Sequence, residues 1–176
     1  MDSKQEGNIM KILVTGAAGS GTSTLGKLLA SYIGATFQEA DDIYWLPTTP
    51  PFQEKRSNDE RRAMMAKALN ETKRVVVAGS VMSWGKEIED AFDMTVFLTA
   101  PAQTRIERIK HRDIQRFGSV DPKFLEWAAQ YDDGEMPGRS LARHRAWLAE
   151  RSCHVLSIES TKDPDTLAQK VCDALG

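Results

Sequence analysis

Five short apolar, β-rich runs alternate with segments of helical periodicity along this chain, and that alternation narrows its fold more than any other feature. Strands separated by helices pair in parallel, and a parallel sheet has to be covered on both faces. The runs are Met10 to Thr15, Thr36 to Ala40, Arg74 to Ala78, Met94 to Thr99 and His154 to Ile158. The predicted class is therefore α/β, with a five-stranded parallel sheet flanked by helices. The first helix runs from Ser23 to about Ile33, where Leu25, Leu28, Leu29, Tyr32 and Ile33 keep helical spacing and Gly34 supplies the stop. Ser57 and Glu60 have capping-box spacing and open a helix to about Thr72. Pro101 starts another, ended by Gly118 after Phe117. Two more helices, Pro122 to Gln130 and Arg139 to Arg151, are predicted on either side of a flexible acidic link, Asp132 to Glu135. A last helix, Pro164 to Leu175, is capped by Asp163 and carries Leu167, Val171 and Leu175 on one face. Leu46 to Phe52 is a proline-rich loop, and no internal repeat is present.

The 176 residues, 41% hydrophobic and 27% charged, suit one domain, residues 10–176, behind a flexible leader, residues 1–9. A chain of this size buries roughly 70% of the surface of its unfolded form, enough for a sizeable core. The net charge of −2 gives no global attraction to nucleic acid or to an anionic membrane. The uncharged stretch Val75 to Gly85 falls well short of the roughly 20 residues a bilayer span needs. Cys153 and Cys172 sit in different elements without metal-like spacing, which points to a reducing compartment and hence the cytoplasm. His111, His144 and His154 are far apart, so a zinc site or a histidine-driven nucleophile is disfavoured and each reads as structural.

Most of the chemical information lies in Gly16-Ala17-Ala18-Gly19-Ser20-Gly21-Thr22-Ser23-Thr24, between the first strand and the first helix. In such a loop the glycines let successive backbone N–H groups turn inward around phosphates, and the following helix N-terminus adds partial positive charge. Ser23 stands where a Mg²⁺-ligating hydroxyl belongs, but Thr22 stands where the motif G-x-x-x-x-G-K-[ST] has its lysine. Loss of that donor is worth on the order of 3 kcal/mol of transition-state stabilisation unless another cation substitutes. A glycine-rich turn that binds nothing is the bland alternative. A dinucleotide motif does not fit, because glycines at 16, 19 and 21 do not spell G-x-G-x-x-G.

Carboxylates at the C-terminal end of a strand beside such a loop can hold Mg²⁺ or orient an acceptor hydroxyl. Asp41 is the preferred candidate, with a solvated turn or helix cap as its alternative, and Asp42 is the blander neighbour. Arg105, Arg108, Arg112 and Arg116 share one helix at spacings of three and four, and Thr104 to Arg116 carries a local +3. That stripe suits phosphate, although a salt-laced solvent helix has the same pattern. Arg139, Arg143 and Arg145 form a second basic cluster able to close over an anionic acceptor. Tyr44, Trp45 and Phe52, among prolines, can wall an acceptor pocket, whereas Trp84, Trp127 and Trp147 read as packing residues.

From Met10 onward the chain resembles the small P-loop kinases of the shikimate kinase and nucleoside-monophosphate kinase group. The matching runs are Gly19-Ser-Gly-Thr-Ser-Thr-Leu-Gly-Lys-Leu-Leu-Ala, Phe37-Gln-Glu-Ala-Asp-Asp42 and Val75-Val-Val-Ala-Gly79-Ser80. Thr-for-Lys loops like this one occur in archaeal-type cytidylate kinases. The run Asp41-Asp-Ile-Tyr-Trp45 also resembles bacterial P-loop proteins described as topology modulators, a description that implies no mechanism. The resemblance implies a three-layer P-loop NTPase fold with a helical lid at about residues 112–140, ATP and Mg²⁺ as cofactors, and a small-molecule acceptor. It places Glu39 near Mg²⁺, Asp41 at the acceptor hydroxyl, and Gly79 with Ser80 at the acceptor pocket, where the group's Gly-Gly pair has changed. It sets Arg108 against the nucleotide base and the loop after Ile158 beside the adenine. Arg112 and Arg116 become lid arginines, one of them standing in for the missing lysine.

The expected activity is γ-phosphoryl transfer from ATP to a nucleoside monophosphate or small hydroxy compound, by a monomer or homodimer. The competing expectation is a nucleotide-binding regulator that lost catalysis with its lysine.

Overall fold

The computed structural model describes residues 8–134 and 138–176; residues 1–7 of the expected leader and Glu135 of the expected acidic link lie outside them. Five strands form one parallel sheet: β1 (Met10–Gly16), β2 (Thr36–Glu39), β3 (Arg74–Ala78), β4 (Met94–Thr99) and β5 (His154–Glu159). Their spatial order is β2-β3-β1-β4-β5. The connection leaving β1 runs toward the β2 edge, while the one leaving its neighbour β3 crosses over β1 to β4, so the crevice at the C-terminal ends of these two strands is where a doubly wound sheet binds ligands.

Strand side chains sort by period two onto two faces. Ile12, Val14, Val76, Val96 and Leu98 pack with Leu25 and Leu29 of α1 (Thr22–Ile33) and with Leu167 and Val171 of α8 (Pro164–Leu175). On the other face Leu13, Val75, Val77 and Phe97 pack with Met65 and Leu69 of α3 (Asn58–Glu71) and with Trp147 and Leu148 of α7 (Leu141–Ala149). Burial on both faces explains why the strands read as unbroken apolar runs. The capping box predicted from Ser57 and Glu60 is formed, and Asp163 caps α8 through the Thr166 amide. Among the described residues, no helix is long and apolar enough to cross a membrane.

Several boundaries differ from expectation. Ala40 is not strand; it opens a five-residue helix, α2 (Ala40–Tyr44). A single turn, α4 (Lys86–Glu89), follows Gly85 and escapes a periodicity reading because four residues complete barely one helical repeat. Helix α5 (Ala102–Phe117) begins one residue after its proline, and α6 (Pro122–Ala129) ends one residue early. Gln130–Asp133 is a 3₁₀ turn in which Tyr131 is buried, so the start of the expected flexible link is ordered. Helix α7 starts at Leu141 with Ser140 as its cap, two residues later than predicted, which leaves Arg139 ahead of the helix. Trp127 is half-buried and stacks on Phe124, as expected of a partly buried packing residue, and Trp84 and Trp147 are more deeply buried than that expectation.

Candidate functional site

The loop between β1 and α1 is clamped from beneath and from the side. A Cβ at Gly16 would lie 2.4 Å from the Leu98 carbonyl oxygen of β4, and a Cβ at Gly19, where φ is +80°, would lie 2.4 Å from the Arg105 carbonyl oxygen of α5. Neither distance is tolerable, so these two positions demand glycine for contact, and Gly19 for backbone conformation as well. Ser20 is fully buried and donates through Oγ to the Ala17 carbonyl at 2.7 Å, while its N–H reaches the same oxygen at 3.1 Å. It therefore shapes the loop. Gly21 precedes α1 in a left-handed conformation, and no side chain caps the helix there. The first-turn N–H groups of a 12-residue helix thus lack a side-chain cap at the C-terminal edge of the sheet, where an anion can take them up. Thr22 and Ser23 are half-buried, Ala18 is half-buried, and Thr24 is exposed.

Glu39, the last residue of β2, is brought beside Ser23: a hydrogen bond from the Ser23 hydroxyl favours its ionised form. Burial nonetheless dominates and holds the Glu39 carboxyl above the usual carboxylate range, with the charges of Asp41 and Asp42 adding to the rise and Lys27 opposing it. Glu39 Oε1 also lies 3.7 Å from where a Gly79 Cβ would be, and the Gly79 N–H donates to the Val14 carbonyl of β1 at 2.9 Å. Ser23, Glu39 and Gly79 therefore converge on one edge, with the half-buried Ser80 next in the chain. Among the described residues no group of three or more histidine, cysteine or carboxylate side chains is placed to hold a metal. One hydroxyl and one carboxylate suit a Mg²⁺ that keeps most of its shell as water and phosphate oxygens.

Asp41 and Asp42 are exposed in the first turn of α2, so the carboxylates point outward next to this edge. The aromatic loop coheres: Tyr44 meets Trp45 edge-on at 4.9 Å and Trp45 meets Phe52 at 6.0 Å. The sequence reading missed Arg61 of α3, whose guanidinium lies 4.5 Å over the Tyr44 ring and near Trp84. It carries no motif signal, since only the fold puts α3 against α2.

The arginine stripe on α5 separates into three environments. Arg105 is 1% exposed and donates to the carbonyls of Ala100 and Ala128 and to the Asp132 carboxylate. It holds the fold and cannot meet a phosphate, which corrects its place in the expected basic face. Arg108 is half-buried over the loop: Nη1 lies 3.4 Å from the carbonyl oxygens of Gly19 and Ser20 and 3.2 Å from Ser160 Oγ, and Nη2 donates to the Ser160 carbonyl at 2.7 Å. It ties the phosphate loop to the turn after β5. Arg112 pairs with Asp113 and Arg116 lies over the Phe117 ring, both on the outer half of the helix. In the second basic cluster Arg139 stands over Trp127, Arg143 donates to the Gly138 carbonyl and Arg145 is exposed.

A buried polar group beneath the loop was read only as structural or not at all. His144 is fully buried, with Nδ1 2.7 Å from the Tyr131 hydroxyl and Nε2 3.4 Å from Thr15 Oγ1. Burial, assisted by the Arg139 charge, pushes the imidazole down to about 4, and burial pushes the Tyr131 phenol up to about 12, so both are neutral.

A family model described as an AAA domain matches residues 12–121. An uncharacterized protein of Bacillus subtilis (strain 168), YqaC, is 37% identical over 174 residues, covering 93% of this chain and 96% of its own. A cytidylate kinase of Methanosphaera stadtmanae is 28% identical over 134 residues, 68% of this chain and 73% of that protein. The crystal structure of shikimate kinase from Bacteroides thetaiotaomicron superposes with a TM-score of 0.61 at 16% identity, covering 94% of this chain and 98% of that one, which is a likeness of fold. The family model covers more than half of the chain, which therefore belongs to the AAA domain family, and its parallel sheet shares its fold with that shikimate kinase.

Proposed function

We propose that the protein is an ATP-dependent phosphotransferase that moves the γ-phosphoryl group to a small-molecule acceptor, either a nucleoside monophosphate or a small hydroxy compound. The observation that carries the proposal is the glycine loop clamped at Gly16 and Gly19 beneath an uncapped α1, with Ser23 and Glu39 side by side at its rim. The backbone N–H groups from Ala17 to Thr24 would cradle the triphosphate, and Arg108 would border the base together with the Ser160 turn. Ser23 and Glu39 would hold Mg²⁺, which supplies charge neutralisation of the phosphates when bound. Asp41 would accept the acceptor's hydroxyl proton or orient it, next to Gly79 and Ser80. Arg139 and Arg143 would approach the acceptor, and Arg112 or Arg116 would supply the positive charge that Thr22 does not. Catalysis in such a site is mostly positioning plus electrostatics. A cytoplasmic setting, which suits the two free cysteines, belongs to the same reading, as does a monomer or homodimer.

Thr22 favours a second reading, a regulatory protein that binds nucleotide without turning it over. Calorimetric titration of ATP with and without Mg²⁺, with Gly21→Asp as the blocked-loop control, tests the common ground. Micromolar, Mg²⁺-dependent binding lost in a folded control is expected. A screen for acceptor-dependent ATP consumption then separates enzyme from regulator, and no binding of any triphosphate sinks both.

A further inference from the structure

The phosphate loop has no lysine, so its hold on an anion depends on where its backbone N–H groups point. That aim is set from outside the loop. Thr15 is the residue before Gly16 and is 1% exposed; its hydroxyl meets His144 Nε2 on α7. The other ring nitrogen meets the hydroxyl of Tyr131, in the 3₁₀ turn that joins α6 to the segment before α7. The same turn is pinned on its far side, where Asp132 takes a hydrogen bond from buried Arg105 Nη2 at 2.8 Å and the Arg105 guanidinium lies 5.1 Å from the Tyr131 ring centre. The backbone oxygen of Arg105 is the atom against which Gly19 closes. Thr15, which leads into the loop, and Gly19 within it are thus both tied to this cluster, Thr15 through His144 and Gly19 through Arg105, whose side chain holds the turn of Tyr131.

We infer that Tyr131, His144 and Thr15 form a relay of positioning residues, in which the Tyr131 hydroxyl fixes the tautomer and orientation of His144 so that His144 fixes the start of the phosphate loop. A neutral imidazole has one donor and one acceptor nitrogen, so the hydroxyl on one side dictates what the other side offers. Two bonds join the three groups, so the role Nδ1 takes toward the Tyr131 hydroxyl, donor or acceptor, sets the opposite role for Nε2 toward Thr15. None of the three touches a ligand; each acts through the next. Without the Tyr131 hydroxyl the imidazole keeps its pocket but loses the bond that selects its tautomer, and Thr15 loses a fixed partner.

The inference accompanies the phosphate-binding reading above, and its test separates the two because its first arm uses no nucleotide. Amide hydrogen exchange is followed in the ligand-free full chain for wild type, Tyr131→Phe, Thr15→Val and the double variant. The Ser20 amide, bonded to Ala17 within the loop, is the reporter, and the amides of Val75 to Val77 in β3 report global stability. Each single variant is expected to speed Ser20 exchange about tenfold while β3 is unchanged, and the double variant to add nothing further, because both changes break one relay. His144→Gln, which keeps a donor and an acceptor, is expected to stay within about threefold of wild type. A Ser20 amide that exchanges as in wild type, equal acceleration throughout the sheet, or multiplied effects in the double variant would each overturn the relay. In the second arm ATP·Mg²⁺ affinity falls about tenfold in both single variants; loosened exchange with unchanged affinity also overturns it. Absence of ATP binding in the wild type counts against the proposed function, and the exchange arm then decides the relay alone.

Discussion

The glycine loop and the edge proposed to take the acceptor lie side by side along one end of the sheet, yet they are built in opposite ways. In the loop the backbone does the work: Gly16 and Gly19 are pressed against carbonyl oxygens of β4 and α5, and Ser20 turns its hydroxyl inward to the loop's own carbonyl. At the proposed acceptor edge the groups are side chains on separate elements, Asp41 on the short helix α2 and Ser80 after β3. A backbone site is fixed when the fold is fixed, whereas a side-chain site depends also on the rotamers of the residues that form it. Changes in the loop should therefore abolish binding, and changes at the acceptor edge should spare binding and remove turnover.

The largest effect is expected at Gly19. Alanine there places a methyl group 2.4 Å from the Arg105 carbonyl oxygen at a φ of +80°, so the loop must leave its seat. Backbone strain and the loss of at least one N–H donor together predict about a 1,000-fold loss of ATP·Mg²⁺ affinity, read by calorimetry. Affinity within threefold of wild type would mean that the clamp does not set the loop.

Next comes the acid limb of stability, which reports on the relay beneath the loop. The folded His144 pKa lies near 4, below its unfolded value of about 6.5, so between those values the unfolded chain binds the extra proton. The contribution of the neutral histidine is fully present above pH 6.5, falls as pH drops through that window, and is spent below about 4. It amounts to roughly 3 kcal/mol over the window. Urea unfolding as a function of pH checks it: His144→Gln should remove most of that slope, and an unchanged slope would place the titration elsewhere. Arg139 is the charged neighbour that helps keep the ring neutral, so Arg139→Gln should raise the lower end of the window slightly and reduce the stability lost across it.

Slightly smaller, and confined to the other region, is the effect of Asp41→Asn. If Asp41 handles the acceptor's proton, turnover falls at least about 100-fold. ATP affinity should stay within twofold, because Asp41 is exposed on α2 and takes no part in clamping the loop. A loss of ATP affinity equal to the loss of turnover would erase the contrast between the two regions.

How much was legible follows the same division. The alternation of runs predicted every strand of the sheet, and Ser57, Gly34, Gly118 and Asp163 marked helix ends correctly, because capping and glycine stops are local chemistry. The glycine loop was legible for the same reason: its residues are contiguous. Arg105 was not, since the pattern that groups it with Arg108 holds equally for a buried arginine, and only Asp132 and the Ala128 carbonyl, supplied by the α6 region, decide the matter. His144 was passed over as an isolated histidine, because its partners Thr15 and Tyr131 stand 129 and 13 residues away. Helices α2 and α4 are too short for periodicity to register, and their placement comes from packing against α3.

The smallest effect is expected at Thr22, where it is also the most informative. Thr22 opens α1 and is half-buried, so lysine there adds a cation to a helix N-terminus, a cost of up to about 1 kcal/mol that a bound triphosphate would offset. If Arg112 or Arg116 supplies the transferred group's counter-charge, the added lysine duplicates a function already present. Thr22→Lys should then leave acceptor-dependent turnover unchanged within about twofold, or lower it, by a direct ATP-consumption assay. A rise of tenfold or more, the equivalent of about 1.4 kcal/mol of transition-state stabilisation, would mean that the native loop is held short of full catalysis by its threonine. The clamped backbone would then be the part of the kinase site retained for binding, and the regulatory reading would displace the enzymatic one.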